Sequence, residues 1–563
     1  MKKKAVVLLF SLFVLVIINS VIAAEPGKII SNSQDWRDVY SVMEYATLTG
    51  KTAIFLVSDR HATIILSAIP KGAHIWAISS KNVPFIRGYK TILENNGYTA
   101  EEFEYANVNL ELAKKLDVKD FIIVDDSYGY NAISVAPYAA KTKAYVLFVD
   151  KNNLREVDSF LQTRGVNSML IYGFVDREVR DVFSKYNPEI LNKNGDRFLN
   201  NIEIVKKYQE KGAAKQVILT NGEFIEQEIM SGAEPVVFIG TQNVPESIKK
   251  YIKESGIDIG VLIGNELVGT ATKIRRQLGI SVFVKFAQGA RAPKGRISQV
   301  EALDMFYLPA YTLNLELMSM KYNTATKQVE ATLKNTEEQA VYSKGTYTIT
   351  AEDGSKQVVG DIEPVFIDGK NIKTMVYDVN PIPEGNITAN AFIIYGESPG
   401  SMEKEIRKTV KVERVNILDK SKINITEVSY DKGKKSFYVT TKNTGKVGCY
   451  VNLELVDVSI AGETVTLGMK KTAYLDVSEK KKLRVKADLT DGDIADNELV
   501  KVRAYYGERE DSLVNTFEGE FELLIVSFLY SLIMANATFY LLLLIIIILI
   551  MLIIWKRYKS EKK

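Results

Sequence analysis

The sequence predicts an α/β half, then an all-β half, and one transmembrane helix near the C-terminal end. Residues 50–286 alternate short β-branched runs with amphipathic helical patterns, whereas residues 310–520 contain short alternating strands between turn residues. Residues 539–555 form an apolar run without a charge. The 563-residue chain must hold several domains, because a single hydrophobic core stops growing near ~250–300 residues.

The first half shows strands and helices in regular alternation, which predicts parallel sheets covered on both faces. The strand-like runs are residues 53–57, 121–124, 145–149, 168–172, 216–219, 236–239 and 260–263. The helical patterns between them include residues 131–140, 154–162 and 244–254.

This half also repeats itself. Asn-Leu-Glu-Leu-Ala-Lys-Lys at 109–115 matches Asn-Ile-Glu-Ile-Val-Lys-Lys at 201–207, and residues 165–173 match residues 256–264. A shorter match joins residues 93–97 to residues 161–165. Internal similarity at a fixed spacing indicates repeated structural units. We therefore expect three α/β modules, the first lacking one strand–helix pair. Their expected bounds are 51–117, 118–199 and 200–287, preceded by a segment at 24–50 and followed by a linker at 288–308.

The second half is doubled as well. Lys-Asn-Thr at 334–336 recurs at 442–444, and Tyr-Gly-Glu at 395–397 recurs at 506–508. These spacings suit two tandem Ig-like β-sandwiches of about 105 residues each, at 309–415 and 416–522.

The two ends predict where the protein resides. A basic start, an apolar run and small residues predict a signal peptide at 1–23. The apolar run at 539–555 precedes a basic tail at 556–563, which favours a cytoplasmic C-terminus because basic residues concentrate on that side. We expect a single-pass cell-membrane protein with an extracellular ectodomain, a juxtamembrane segment at 523–538, and the lipid bilayer as partner. The apolar stretch 523–534 could be a last strand, an interfacial helix or part of the span.

Composition excludes several classes of function. One cysteine rules out an internal disulfide, and two histidines argue against histidine-rich metal sites. The formal charge is +3, but the two basic ends carry more than that, so the central chain is slightly acidic. A nucleic-acid binder would need a basic surface. We therefore expect no metal, no cofactor and no nucleic-acid partner.

Two motifs of the α/β half are similar to one known family. Residues 129–152 run from a helix through Ala-Pro-Tyr-Ala-Ala into an apolar strand that ends in Asp-Lys, and Gly-Asp-Arg-Phe at 195–198 precedes a helix. Both resemble the cell-wall-binding repeats of Gram-positive surface proteins, over about 240 residues of this chain. Asn131 stands where that family usually has aspartate, and Phe198 where it has tyrosine.

The resemblance implies three topoisomerase-primase-like α/β modules around a pseudo-threefold axis, which hold anionic or glycan wall polymers without chemistry. The sandwich pair is similar to the tandem domains of archaeal surface proteins. This similarity implies a membrane-anchored archaeal surface protein.

Four residues are candidate ligand contacts: Arg197, Asp196, Asn131 and Asp150. An arginine fork suits bidentate recognition of phosphate or carboxylate, although Arg197 could instead pair with Asp196 or with an acid of another module. Asp150, like Asp125 and its neighbour at 126, ends a predicted parallel strand, where ligands often bind. These acids could equally cap the following helix.

Two Asn-Ile-Thr sequons, at Asn386 and Asn424, are candidate glycosylation sites. Taken together, the sequence predicts a non-enzymatic surface protein that binds an envelope polysaccharide, a wall polymer or an S-layer component through its α/β repeats. A receptor for a small extracellular molecule is the alternative, followed by an α/β hydrolytic enzyme.

Overall fold

The computed structural model describes residues 27–286, 289–291, 300–310, 312–526, 546–548 and 550–551. The predicted signal peptide at 1–23 and the tail at 556–563 lie outside these residues. The chain divides into two compact units at residues 311 and 312, and each unit is described by itself.

The first unit contains three four-stranded parallel sheets. The first sheet has strands β1 (Lys28–Asn32), β2 (Ala53–Phe55), β3 (His74–Ser80) and β4 (Thr99–Tyr105). Its helices are α1 (Trp36–Thr49), α2 (His61–Ile64), α3 (Tyr89–Asn95) and α4 (Val108–Lys115), with a 3₁₀ turn at Ile65–Ala68.

The second sheet has strands β5 (Asp120–Val124), β6 (Tyr145–Phe148), β7 (Ser168–Tyr172) and β8 (Glu189–Leu191). Its helices are α5 (Tyr130–Thr142), α6 (Leu154–Arg164), α7 (Arg177–Phe183) and α8 (Arg197–Glu210), with a 3₁₀ turn at Ser184–Tyr186.

The third sheet is built from β9 (Gln216–Thr220), β11 (Val236–Phe238), β12 (Ile259–Ile263) and β13 (Ser281–Lys285). Its helices are α9 (Gln227–Ser231), α10 (Glu246–Ser255) and α11 (Ala271–Leu278), with a 3₁₀ helix at Asn265–Thr270. Two short ribbons complete the unit: β10 (Phe224–Ile225) with β16 (Phe306–Tyr307), and β14 (Gly289–Arg291) with β15 (Val300–Ala302).

All three sheets have the same strand order, in which the second strand in sequence lies at one edge and the fourth at the other. The first helix of each module, α1, α5 and α9, contacts the first helices of the other two. One apolar core therefore runs through the three modules.

The first module begins earlier than the sequence predicts. Lys28–Asn32 is the inner strand β1, and Trp36–Thr49 is the helix that follows it. The segment predicted as separate, 24–50, thus supplies the strand–helix pair that the first repeat was expected to lack.

The second unit is all-β and is duplicated. Its first half contains β17 (Leu315–Asn323), β18 (Gln328–Asn335), β19 (Val341–Ala351), β20 (Lys356–Gly360), β21 (Val365–Ile367), β22 (Ile372–Asp378), β23 (Ile387–Gly396) and β24 (Lys404–Val415). Its second half contains β25 (Ile423–Asp431), β26 (Ser436–Asn443), β27 (Cys449–Ile460), β28 (Glu463–Gly468), β29 (Ala473–Leu475), β30 (Lys480–Lys486), β31 (Leu499–Gly507) and β32 (Asn515–Val526), with one helix, α12 (Asp491–Asp496).

Each half is one eight-stranded sheet that curls on itself, and the strand order is the same in both. This architecture is compatible with the Ig-like sandwiches that the sequence predicts. The apolar stretch from residue 523 begins as the end of β32, which runs to Val526; residues 527–538 lie outside the described residues.

The predicted transmembrane helix requires correction. A helix needs about 20 mostly apolar residues to cross a bilayer, and none of the helices in the described ranges combines that length with that apolarity. Within 539–555, the described residues are 546–548 and 550–551, which are helical; the remainder lies outside the described residues. This finding overturns the predicted single-pass membrane localisation.

Candidate functional site between the first and third modules

The junction between the first and second modules depends on one asparagine. Asn109, on α4, donates from Nδ2 to the carbonyl of Val146 at 2.9 Å and to Oγ of Ser41 at 3.0 Å. Its Oδ1 accepts from the backbone N–H of Phe148 at 3.2 Å. The side-chain amide therefore satisfies the outward backbone groups of the edge strand β6.

The junction between the second and third modules repeats this contact. Asn201, on α8, donates to the carbonyl of Val236 at 3.0 Å and to Oγ of Ser134 at 2.8 Å. The N–H of Phe238 donates to Oδ1 of Asn201 at 2.8 Å. These two asparagines open the repeated motif at 109–115 and 201–207, so the repeat marks a structural contact between modules.

Aromatic rings complete both junctions. Phe148, the last residue of β6, makes edge-to-face contacts with Trp36 and Tyr40 at centroid distances of 5.0 and 5.4 Å. Phe238, the last residue of β11, lies 6.4 Å from Tyr130. Each phenylalanine thus packs on the first helix of the preceding module.

The junction between the third and first modules is built differently. Phe55 ends the edge strand β2 and meets Phe306, at 6.0 Å, in place of a helical aromatic residue. In the part of the chain that the structure describes, no asparagine side chain bonds the backbone of β2. The two modules still touch, because Oγ1 of Thr47 donates to the carbonyl of Met230 at 3.0 Å.

A cavity of about 430 Å³ occupies this third junction. Its wall from the first module is mainly apolar and includes Met43, Phe55 and Ile65, whereas its wall from the third module includes Glu226 and Lys285. The exposed Ser67 and Ala68 border it, so the cavity is open to solvent at that side.

Glu226 and Lys285 form an ion pair in this cavity, with 2.6 Å between Oε1 and Nζ. The Glu226 side chain is 2% exposed. It also accepts a hydrogen bond from the N–H of Glu228, and Glu226 thereby caps the start of α9. Burial disfavours the charge on Lys285, but the hydrogen bond and the charge of Glu226 outweigh it and raise the pKa of the ammonium. Lys285 is 31% exposed and has a second carboxylate partner, Glu228, at 3.4 Å, so this wall of the cavity carries paired charges of both signs.

His61 and Lys28 add two more nitrogen groups to the lining. Nδ1 of the buried His61 accepts from the N–H of Val57 at 3.3 Å, which assigns the proton of the neutral ring to Nε2. Burial lowers the pKa of Lys28. The cavity thus combines an apolar wall with a few convergent polar groups, as ligand sites do.

Asn131 fills the carboxyl edge of the second sheet. It donates to Oδ1 of Asp125 at 2.9 Å, and a Cβ on Gly173, just after β7, would lie 2.5 Å from its Nδ2. Burial raises the pKa of Asp125, and the bond from Asn131 opposes that shift. The crevice between the ends of β5 and β7 is therefore occupied by the chain's own side chains.

Asp150 and Asp196 order their own backbone. Oδ1 of Asp150 accepts from the N–H groups of Asn152 and Asn153, both at 2.9 Å. Oδ1 of Asp196 accepts from the N–H groups of Phe198 and Leu199 at 2.9 and 3.0 Å, which caps α8. Asp196 therefore caps α8, whereas Asp150 orders the loop before α6, whose N-cap residue is Asn153, so the helix-capping alternative offered for Asp150 is not what the structure shows.

Arg197 is buried at the junction of the second and third modules, with 5% exposure. Its guanidinium lies 4.0 Å from the ring centre of Tyr130 and 4.9 Å from that of Phe198. Tyr130 in turn touches Phe238 of the third module. Of the candidate ligand residues, Arg197 therefore lies near Asn131, because it contacts the adjacent Tyr130. Asp150 lies on a separate loop.

The two sequon asparagines are both exposed: Asn386 precedes β23 and Asn424 lies on β25. Within the described ranges, no group of three or more histidine, cysteine, aspartate or glutamate side chains could hold a metal ion.

Sequence reasoning missed Glu226, Lys285 and His61 as cavity residues. Glu226 and Lys285 are 59 residues apart and meet only in the fold. One sequence feature could have pointed to this site. The asparagine motif follows the fourth strand of the first two modules, but no third copy follows β13, and the junction of the third and first modules is the one without the asparagine contact.

No family model and no curated protein matches the chain. Among solved structures, the periplasmic chaperone SfaE is 12% identical and matches over 38% of this chain and 100% of its own, with a TM-score of 0.13. Red sea bream transglutaminase is 10% identical over 46% of this chain and 34% of its own, with a TM-score of 0.12. Escherichia coli alpha-2-macroglobulin activated by porcine elastase is 11% identical over 42% and 24%, with a TM-score of 0.14. Likenesses at such scores carry no functional argument.

Proposed function

We propose that this protein is a non-enzymatic binding protein whose α/β unit holds an envelope polymer, such as a surface polysaccharide, a wall polymer or an S-layer component. The observation that carries the proposal is the cavity at the junction of the third and first modules. At this junction the described residues show no asparagine contact like those at the other two. Its volume of about 430 Å³ falls within the roughly 300–1,000 Å³ of small-ligand sites.

The cavity lining suits a sugar unit. The apolar wall around Met43 and Phe55 would contact the C–H face of a sugar ring, and the Glu226–Lys285 pair would bond its hydroxyl groups. The opening beside Ser67 lets the rest of a polymer leave the cavity.

The contacts of the predicted acids favour binding over catalysis. Asp125, Asp150 and Asp196 each accept a hydrogen bond from the backbone N–H two residues further along the chain. A general acid or base must instead reach the proton that it transfers.

A receptor for a small extracellular molecule is a second candidate, favoured by the size of the same cavity. It would bind a free metabolite saturably and with one-to-one stoichiometry. Competition by polymer fragments separates the two functions, because a receptor would not release its metabolite to them.

A tryptophan at Ser67 tests the site. Ser67 is exposed at the cavity border, and its hydroxyl bonds the carbonyl three residues earlier, in a 3₁₀ turn. Ser184 is an exposed serine with the same bond in another 3₁₀ turn, away from this cavity. Ser184→Trp is therefore a matched control for Ser67→Trp.

Binding of the full chain to soluble polysaccharide fractions of the cell envelope is measured by titration calorimetry. We expect Ser67→Trp to weaken binding at least tenfold, since the indole fills the cavity, and Ser184→Trp to bind as the wild type does. Equal binding by all three proteins, or none by the wild type, would overturn the proposal.

A further inference from the structure

The edge strand β30 concentrates positive charge in the second unit. It reads Lys-Lys-Lys-Leu-Arg-Val-Lys, and Leu483 and Val485 point into the core while the five cations are exposed. Alternate residues share one face of a strand and are spaced by roughly 7 Å. Residues 480, 482, 484 and 486 therefore form a row of about 20 Å on the outer face.

The neighbouring strand β26 extends this basic face. Lys442 pairs in register with Lys480, and Ser436 pairs with Lys486. Lys482 has a carboxylate partner, Glu427, at 3.5 Å. Among the described residues, no carboxylate lies within ion-pair distance of the cations at 442, 480, 484 and 486.

Arg484 is held by neutral groups. Its Nε donates to Oγ of Ser436 at 2.8 Å, and an Nη donates to the carbonyl of Lys434 at 3.2 Å. These bonds fix the guanidinium, and no acid of the described residues pairs with its charge.

The row of cations leads to a cleft of about 330 Å³, where Arg484 and Lys486 meet Lys470. One acid, Asp368, lines the cleft with these three cations. Lysines on an edge strand also discourage pairing with other chains, but that role does not require cations to converge on a concave site.

We propose that the outer face of β30 and this cleft bind an acidic polysaccharide, with its carboxylate or sulfate groups along the cationic row. Charge complementarity argues for the occupant, because an extended row of cations, of which Lys482 alone has a carboxylate partner among the described residues, matches an extended polyanion. Single-stranded nucleic acid would need successive aromatic rings for stacking, and β26 and β30 together present one ring on this face, Tyr438. This site is in a different unit from the cavity and does not rest on the proposed function.

The test measures binding of the full chain to immobilised polygalacturonate, with dextran as the neutral polysaccharide and a single-stranded oligonucleotide as the competing polyanion. The test variant is the triple change Lys480→Gln, Arg484→Gln and Lys486→Gln. The control is the double change Lys408→Gln and Lys411→Gln, which removes exposed charges from β24.

We expect wild-type binding to polygalacturonate that weakens with added salt, and no binding to dextran. The triple variant should bind at least tenfold more weakly, and the control within twofold of the wild type. Absence of wild-type binding, equal loss in the control, or stronger binding of the oligonucleotide would overturn the proposal.

Discussion

The side-chain amide of Asn201 is hydrogen bonded to the carbonyl of Val236 at 3.0 Å, across the junction of two modules. Asn109 makes the same bond to Val146 at the preceding junction. An edge strand has unpaired N–H and C=O groups, and an asparagine offers one acceptor and one donor to match them. A side chain thus takes the place of a further strand at each of these edges.

Replacing Asn201 with leucine should destabilise the first unit. The change keeps the branched shape of the side chain but leaves the buried carbonyl of Val236 and N–H of Phe238 unsatisfied, at a cost of about 1–3 kcal/mol each. Urea unfolding at neutral pH should show a loss of at least 2 kcal/mol. The exposed Asn82, in a loop, is the control position, and Asn82→Leu should change stability by less than about 0.5 kcal/mol. A similar small effect for Asn201→Leu would show that this contact does not hold the junction.

Close packing between α9 and α5 predicts that an alanine substitution destabilises the protein more at Gly232 than at Gly256. Gly232 ends α9 with φ +70°, and a Cβ there would lie 2.4 Å from Cβ of Ala140. Gly256 ends α10 with φ +72°, but a Cβ there meets nothing within 4 Å. Alanine should cost about 1 kcal/mol at either position because of the left-handed backbone, and a further ~1–3 kcal/mol at Gly232 because of overpacking.

The measurement is the difference in unfolding free energy between Gly232→Ala and Gly256→Ala. Because the backbone conformation is the same in both, that difference isolates the contact with Ala140. Equal losses would mean that the second and third modules are not in close contact there.

Local patterns in the sequence account for most of the fold. The apolar strands β5, β6 and β9 are short β-branched runs, and their burial on both faces gives the continuous hydrophobic signal that predicted them. Strand β1 was missed because its last two residues, Ser31 and Asn32, are polar yet fully buried. Asn32 is accommodated by a hydrogen bond to Ser79 at 2.8 Å, a partner 47 residues away that no local pattern reveals.

The candidate site was less accessible to sequence reasoning. Motif spacing drew attention to Asn131 and Arg197, which the structure places inside the second module and at its junction. The cavity depends on a contact that the third junction lacks and on the pairing of Glu226 with Lys285. Both are tertiary features, and neither changes the local periodicity of the chain.

The pH dependence of stability should reveal a buried acid in the first module. Asp38 is 8% exposed and accepts from Oγ of Ser33 at 2.8 Å. Burial raises the pKa of Asp38 to about 6, with a smaller contribution from the charge of Asp35, while bonds from Ser33 and Ser80 and the charge of Arg37 oppose the shift.

The folded protein therefore binds this proton more tightly than the unfolded chain does, and ionisation of Asp38 costs stability. The stabilisation that comes from protonated Asp38 is complete below about pH 4 and is lost as the pH rises through about 6. The free energy of unfolding falls by up to about 3 kcal/mol over this range. Asp38→Asn cannot ionise, so its stability should match that of the wild type near pH 4 and exceed it at pH 7.5. Urea unfolding at four pH values between 4 and 7.5 measures the difference, with Asp181→Asn, at an exposed position on α7, expected to follow the wild type. A constant offset between wild type and Asp38→Asn across this range would show that the carboxyl titrates alike in the folded and unfolded chain.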